Sequence, residues 1–125
     1  MSAILLVDDN PAVRNIVGDV LRDLGHKVVE ASSGAGALEL LERNSFDLLV
    51  LDYLLPDMKG DAVARLVGER WERMRIAFLT GYSEFLELTG KHGGNVIIPK
   101  PITTDALCRA VEDTLRRPAA SLAAA

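Results

Sequence analysis

The sequence predicts an α/β fold, a doubly wound five-stranded parallel sheet with five helices. Two observations carry that prediction. Short apolar runs alternate along the chain with stretches whose apolar residues recur at three- and four-residue spacing. The runs themselves, AILLV (3–7) and DLLVL (47–51), are apolar throughout rather than alternating, as strands buried on both faces should be. Right-handed crossovers then place helices on both sides of the sheet. An all-helical bundle or a β-sandwich would not switch period in this way.

The first strand is Ala3–Val7. Pro11 opens the first helix, in which Val13, Ile16, Val17, Val20, Leu21 and Leu24 form an apolar stripe that Gly25 ends. Lys27–Ala31 is the second strand, and Ser32 or Ser33 caps a helix to about Arg43 through Ala37, Leu38, Leu40 and Leu41. Asp47–Leu51 is the third strand. A helix from Gly60 to Trp71 follows, with Ala62, Val63, Leu66 and Val67 on one face. Arg75–Leu79 and Asn95–Ile98 are the fourth and fifth strands. Between them Glu84–Thr89 makes a short helix before the glycine-rich turn GKHGG. The last helix begins after Pro101, capped by Thr103 or Thr104, with Leu107, Ala110, Val111 and Leu115 facing inward. Pro118 breaks it, so the expected organisation is one domain over 1–117 and an alanine-rich tail over 118–125.

Composition narrows the function. The chain has 125 residues, 49% of them apolar and 26% charged, which suits one folded domain and not a disordered chain. A net charge of −4 gives no basic footprint for direct nucleic-acid binding. The single cysteine, Cys108, excludes an internal disulfide and a clustered thiolate metal site. No apolar run is long enough to span a membrane and no signal peptide opens the chain, so the expected setting is cytoplasmic and away from membranes.

In open parallel sheets, ligands bind outside the carboxyl ends of the strands. Polar residues gather at those ends: Asp8 and Asp9 after the first strand, Asp52 after the third, Thr80 after the fourth and Lys100 after the fifth. Asp52 would be costly inside its apolar run, so it is expected to close the strand and face the crevice. Three carboxylates drawn together repel one another unless a cation intervenes. Oxygen donors without nearby His or Cys suit a hard ion, and Mg2+ is the expected one. With Lys100 as a positive point charge and Thr80 as a hydroxyl donor, these are the parts of a phosphoryl-transfer site whose nucleophile is a carboxylate. Asp57 and Asp61 read as turn and cap residues.

The stretches ILLVDDNP (4–11), LLVLDYLLPDMKG (48–60), FLTGYS (78–83) and IIPKPI (97–102) resemble the receiver domain of two-component response regulators. The resemblance implies a flavodoxin-like fold of strand order 2-1-3-4-5. It implies that Asp52 takes a phosphoryl group from the phosphohistidine of a histidine kinase or histidine phosphotransfer protein. Asp9 and Asp8 then serve Mg2+, the latter through water, and the backbone carbonyl of Leu54 is a further ligand. Thr80 is implied as the switch hydroxyl and Lys100 as its charged partner, followed by Pro101 in a cis peptide bond. TGYS resembles receivers attached to, or working beside, hybrid histidine kinases more than those of transcription factors, and the chain as a whole resembles a single-domain or hybrid-kinase-associated receiver. Ile97 departs from the family, which often has an aromatic switch residue there. Output is therefore expected through Thr80 and the adjoining loop, with a second copy or a downstream protein contacting the helix 4/strand 5/helix 5 face.

Leu54 and Tyr82 flank the expected route of an attacking water and neither is acidic, so the domain should catalyse its own phosphorylation and only slow dephosphorylation. An aspartate-nucleophile phosphatase would want an acid where Leu54 stands. The alternative reading is an interaction module of the same fold that works without phosphorylation. The start of the first helix (Asn10, Pro11, Arg14, Asn15 and Gly18) is the expected dock for the phosphohistidine partner.

Overall fold

Successive residues of a strand face opposite sides of a sheet, so a run that is apolar at every position must supply two cores. The computed structural model, which describes residues 2–71, 74–81, 96–100 and 102–116, has that arrangement. In chain order it forms β1 (Ala3–Val7), α1 (Pro11–Asp23), β2 (Lys27–Ala31), α2 (Gly34–Arg43), β3 (Leu48–Asp52), α3 (Gly60–Arg70), β4 (Arg75–Thr80), β5 (Val96–Pro99) and α4 (Thr104–Arg116). The strands pair in parallel, in the order β2-β1-β3-β4-β5. Leu5, Val7, Leu49, Leu51, Ile76 and Phe78 face a core closed by Ala37 and Leu41 of α2 and by Val63 and Val67 of α3. Their neighbours Ile4, Leu6, Leu48, Val50, Ala77 and Leu79 face the other, closed by Val17 and Leu21 of α1 and by Leu107 and Val111 of α4. Every residue of β3 is buried, including Asp52.

Local chemistry fixes the boundaries. Asn10 caps α1 by accepting the Ala12 amide at 2.9 Å, with Pro11 in the first turn. Gly25 turns the chain after that helix at φ 93°. Of the two serines offered for α2, Ser33 is the cap and accepts the Gly36 amide at 3.0 Å. Of the two threonines before α4, Thr103 accepts the Ala106 amide at 3.2 Å. The third strand begins one residue later than expected, and Asp47 before it clasps Ala3, its carboxylate accepting the Ala3 amide at 2.8 Å and its amide donating to Ala3 O at 2.7 Å.

Two expectations for α1 are corrected. Its buried stripe runs through Val17, Gly18 and Leu21, whereas Ile16, expected in the core, is 62% exposed. Gly18, expected on the outward stripe, is buried against an ion pair: a Cβ there would lie 2.9 Å from Arg22 Nη1 and 3.5 Å from Glu30 Oε2. A mid-helix glycine costs up to about 1 kcal/mol relative to alanine, and here it leaves room for that pair. The expected helix 84–89, the turn GKHGG, Tyr82, Pro101 and the tail 118–125 lie outside the described residues.

Asp57 does more than turn the chain. Its two carboxylate oxygens accept the Gly34 and Ala35 amides, each at 2.9 Å, and so tie the β3–α3 connection to the start of α2. Those amides hold its carboxyl below the ordinary carboxylate range. Asp61 lies in the first turn of α3, where its charge suits the helix dipole, while the cap position belongs to Lys59. Gly60 is required for close approach, since a Cβ there would lie 2.8 Å from Tyr53 Cα and 3.1 Å from Asp52 O.

Asp57→Ala should destabilise the domain by about 1 kcal/mol at neutral pH, the scale of a lost helix cap. The folded-state pKa lies below the unfolded one, so this stability is full above the ordinary carboxylate range and is lost as pH falls through the folded value. Urea unfolding of both proteins should therefore show a difference that shrinks on acidification. A difference independent of pH would assign the effect to something other than the carboxylate.

Candidate functional site

The parallel register decides what stands at the rim. Val7 is opposite Leu51, Asp52 is opposite Leu79, and Thr80 is opposite Pro99. Asp8 and Asp9 follow β1, Asp52 ends β3, Thr80 ends β4, and Lys100 follows β5, so all five expected side chains emerge at the same edge. Backbone bonds carry the ladder past the strands. The Asp8 amide donates to Ala31 O at 3.1 Å, the Tyr53 amide to Leu79 O at 3.0 Å, and the Lys100 amide to Thr80 O at 2.7 Å.

Asp8 and Asp52 are buried and Asp9 is exposed, yet one oxygen from each lies within 4.8 Å of the others. Lys100 Nζ donates to Asp52 Oδ1 at 3.0 Å and to Asp8 Oδ2 at 3.4 Å. The second Asp8 oxygen accepts the Asn10 amide at 2.9 Å. Thr80 is buried, and its hydroxyl donates to Gly81 O at 3.1 Å. Leu54 lies two residues past Asp52, in an antiparallel bridge with Lys59, with its side chain half-exposed.

The electrostatics follow from this crowding. Burial pushes the Asp52 carboxyl up to about 6; the Lys100 hydrogen bond opposes the rise, and the charges of Asp8 and Asp9 add to it. For Lys100, burial works against the charge, but the hydrogen bond from its ammonium to Asp52 and the two facing carboxylates outweigh burial and raise its pKa. At neutral pH the site therefore holds an ammonium beside three clustered carboxylates, an excess of negative charge. Hard oxygen donors, close spacing and uncompensated charge are what a Mg2+ site needs, and the residues present fit that ion. Such a site suits reactions that bring a further anionic group to Asp52.

Several contributors escaped sequence reasoning. Arg14, expected as an outward docking residue, is folded back: its Nη1 donates to Asp8 O at 2.7 Å and its Nε lies 3.3 Å from Glu30 Oε1. Glu30, next to the last residue of β2, also pairs with Arg22 at 2.9 Å. Gly60, behind Asp52, is visible in sequence only as a glycine opening an amphipathic helix.

A model of the response regulator receiver domain matches residues 4–112. The chemotaxis protein CheY of Pseudomonas aeruginosa is 33% identical over 119 residues, covering 91% of this chain and 96% of that protein. The transcriptional regulatory protein GlrR of Escherichia coli is 30% identical, with 93% of this chain and 27% of that protein covered. Sensor kinase CckA of Brucella abortus is 31% identical, with 93% of this chain and 13% of that protein covered. The chain thus spans about a quarter or less of these two longer relatives. A response regulator receiver domain protein from Clostridium thermocellum shares the fold at a TM-score of 0.86 and 23% identity, covering 94% of this chain and 96% of that one. Chemotaxis, transcriptional and kinase-borne relatives match at similar identity, so these likenesses do not favour one architecture for the whole protein.

The raised pKa of Asp52 has a stability consequence. Folding favours its protonated form, so the associated stability is present below the unfolded value and is lost as pH rises from about 4 through about 6. Without divalent cations, Asp52→Asn should be more stable than the wild type above that window, by about 1–2 kcal/mol once solvent screening is allowed for. Below it the two should converge. Thermal unfolding from pH 4 to 8 checks this, and a less stable Asn variant at neutral pH would contradict it.

Proposed function

Because the chain belongs to the response regulator receiver domain family, we propose that it is the phosphoacceptor domain of a two-component or phosphorelay system. In this reading Asp52 takes a phosphoryl group from the phosphohistidine of a histidine kinase or histidine phosphotransfer protein. The observation that carries it is the Asp52 carboxylate, buried at the end of an apolar strand, bonded to Lys100 and within reach of Asp8 and Asp9. Asp8, Asp9, Asp52 and the Leu54 carbonyl would hold Mg2+, which supplies positive charge against the phosphoryl oxygens when bound.

An Asp52 oxygen attacks phosphorus as the phosphorus–nitrogen bond to the donor imidazole breaks, and the bonding pair returns to the ring nitrogen. The nucleophile is ionised at neutral pH because its pKa, though raised, stays near 6. Lys100 moves from the carboxylate to the oxygens of the new acyl phosphate, keeping an anionic partner throughout. The Thr80 hydroxyl, now bonded to Gly81 O, can turn to donate to a phosphoryl oxygen, and this exchange is the proposed switch. We place output at Thr80 and the segment after it, through a second copy or a downstream protein. Slow dephosphorylation is proposed because Leu54 offers no base for water. The proposed setting is the cytoplasm, with a receiver domain over 1–117.

The partner's approach is proposed across α1. Exposed Ile16 joins Val13, Val17 and Ile102 around an apolar cavity of about 270 Å3 that Lys100 also lines. An apolar surface leading to the reactive edge suits a helix that carries phosphohistidine.

Incubation with a small phosphodonor and Mg2+ should add one phosphoryl group by intact mass. Asp52→Asn or excess chelator should abolish the addition. Labelling that survives either change would overturn the reading, and a wild type that stays unlabelled would favour the phosphorylation-independent module. Ile16→Glu should slow transfer from a phosphohistidine protein while leaving labelling by the small donor unchanged; equal slowing of both would move the dock elsewhere.

A further inference from the structure

We propose that Arg14 is a positioning residue for the paired carboxylates, setting the direction in which Asp8 and Asp9 leave the backbone. The inference rests on the reading that those two residues serve Mg2+. The Asp8 carbonyl belongs to the peptide that joins Asp8 to Asp9, and Arg14 Nη1 donates to it at 2.7 Å. A peptide is planar, so holding its oxygen fixes the plane from which both side chains depart. The rest of Asp8 is held independently, its amide by Ala31 O at 3.1 Å and its Oδ1 by the Asn10 amide at 2.9 Å. For Asp9, which is exposed, that shared peptide is one restraint, and the following peptide, whose Asn10 amide donates to Asp8 Oδ1 at 2.9 Å, is the other that the described residues show.

Arg14 is itself anchored. Its side chain is 20% exposed, and Nε lies 3.3 Å from Glu30 Oε1 at the end of β2. Arg22, two turns along α1, takes the other Glu30 oxygen at 2.9 Å. The carboxylate is thus gripped by two guanidinium groups, which keeps Arg14 from swinging out into solvent. Gly18 leaves room on the helix for the Arg22 end of this network. A Cβ at that position would press on Arg22 Nη1 at 2.9 Å and approach Glu30 Oε2 at 3.5 Å. A chain of contacts therefore runs from Arg22 through Glu30 and Arg14 to the Asp8–Asp9 peptide.

Groups that orient metal ligands without touching the ion typically change affinity by an order of magnitude or more when removed. Titration calorimetry with Mg2+ on wild type, Arg14→Met, Arg14→Lys and Glu30→Gln measures this directly. Arg14→Met should bind Mg2+ about tenfold more weakly, and Arg14→Lys, which keeps a donor but not the fork, should fall between it and the wild type. Glu30→Gln should weaken binding in the same direction. In labelling by a small phosphodonor, the Arg14→Met defect should appear as a raised half-saturating Mg2+ concentration. A merely structural arginine would lower the thermal midpoint while the folded protein kept the wild-type Mg2+ affinity, and that result overturns the proposal. Should Arg14→Met fail to fold, wild-type affinity in both Arg14→Lys and Glu30→Gln would overturn it equally. A wild type that binds no Mg2+ would sink the functional reading and this inference together, whereas a wild type that binds Mg2+ as tightly as Arg14→Met would sink the inference alone.

Discussion

Three carboxylates meeting at the end of an apolar sheet set the terms for this domain. Asp8 and Asp52 are withdrawn from water by the strands that deliver them, and Asp9 stands within the same 4.8 Å cluster. Lys100 offsets part of that charge through its bonds to Asp52 and Asp8. Burial first, and the charges of Asp8 and Asp9 after it, push the Asp52 carboxyl up to about 6. Like charges in a low-dielectric setting are tolerated only where something else supplies stability, and here the supply is the pair of apolar cores on either side of β3. The fold supplies the stability that this cluster of charge consumes.

The same strand residues serve packing and placement. Leu49 and Leu51 point into one core while Leu48 and Val50 point into the other, so β3 is held from both faces up to its last residue, Asp52. Behind it, Gly60 brings the start of α3 against the backbone of Asp52 and Tyr53. Asp57 fastens the intervening connection to α2. The Asp52 carboxylate thus sits on a strand packed from both faces, with a supported backbone, while Thr80 and Lys100 stand at the next two strand ends.

What could be read from the sequence follows from the range of the forces involved. Strands such as AILLV and DLLVL announce themselves because double burial demands an apolar residue at every position. The site residues were legible because parallel strands all end at one edge, so that Asp8, Asp9, Asp52, Thr80 and Lys100 could be gathered by topology alone. Ile16 and Gly18 were misplaced because a helical period tells which residues share a stripe, not how far the sheet and α4 cover it. Gly18 is covered by the Arg22–Glu30 pair, a contact between α1 and β2 with no local signature. Asp57 looked like a turn residue for the same reason, since its amide partners lie more than twenty positions earlier in the chain. Arg14 carried no mark at all, because main-chain carbonyl partners leave no trace in a sequence.

The ionisation of Asp52 tests the central claim most directly. Its side-chain carboxyl can be followed by carbon-13 NMR across a pH series, first without divalent cation and then with Mg2+. Burial together with charge crowding at the sheet edge predicts a metal-free midpoint near 6 that moves well below that value when Mg2+ is added. A metal-free midpoint at the ordinary aspartate value, about 3.9, with no response to Mg2+ would contradict the account.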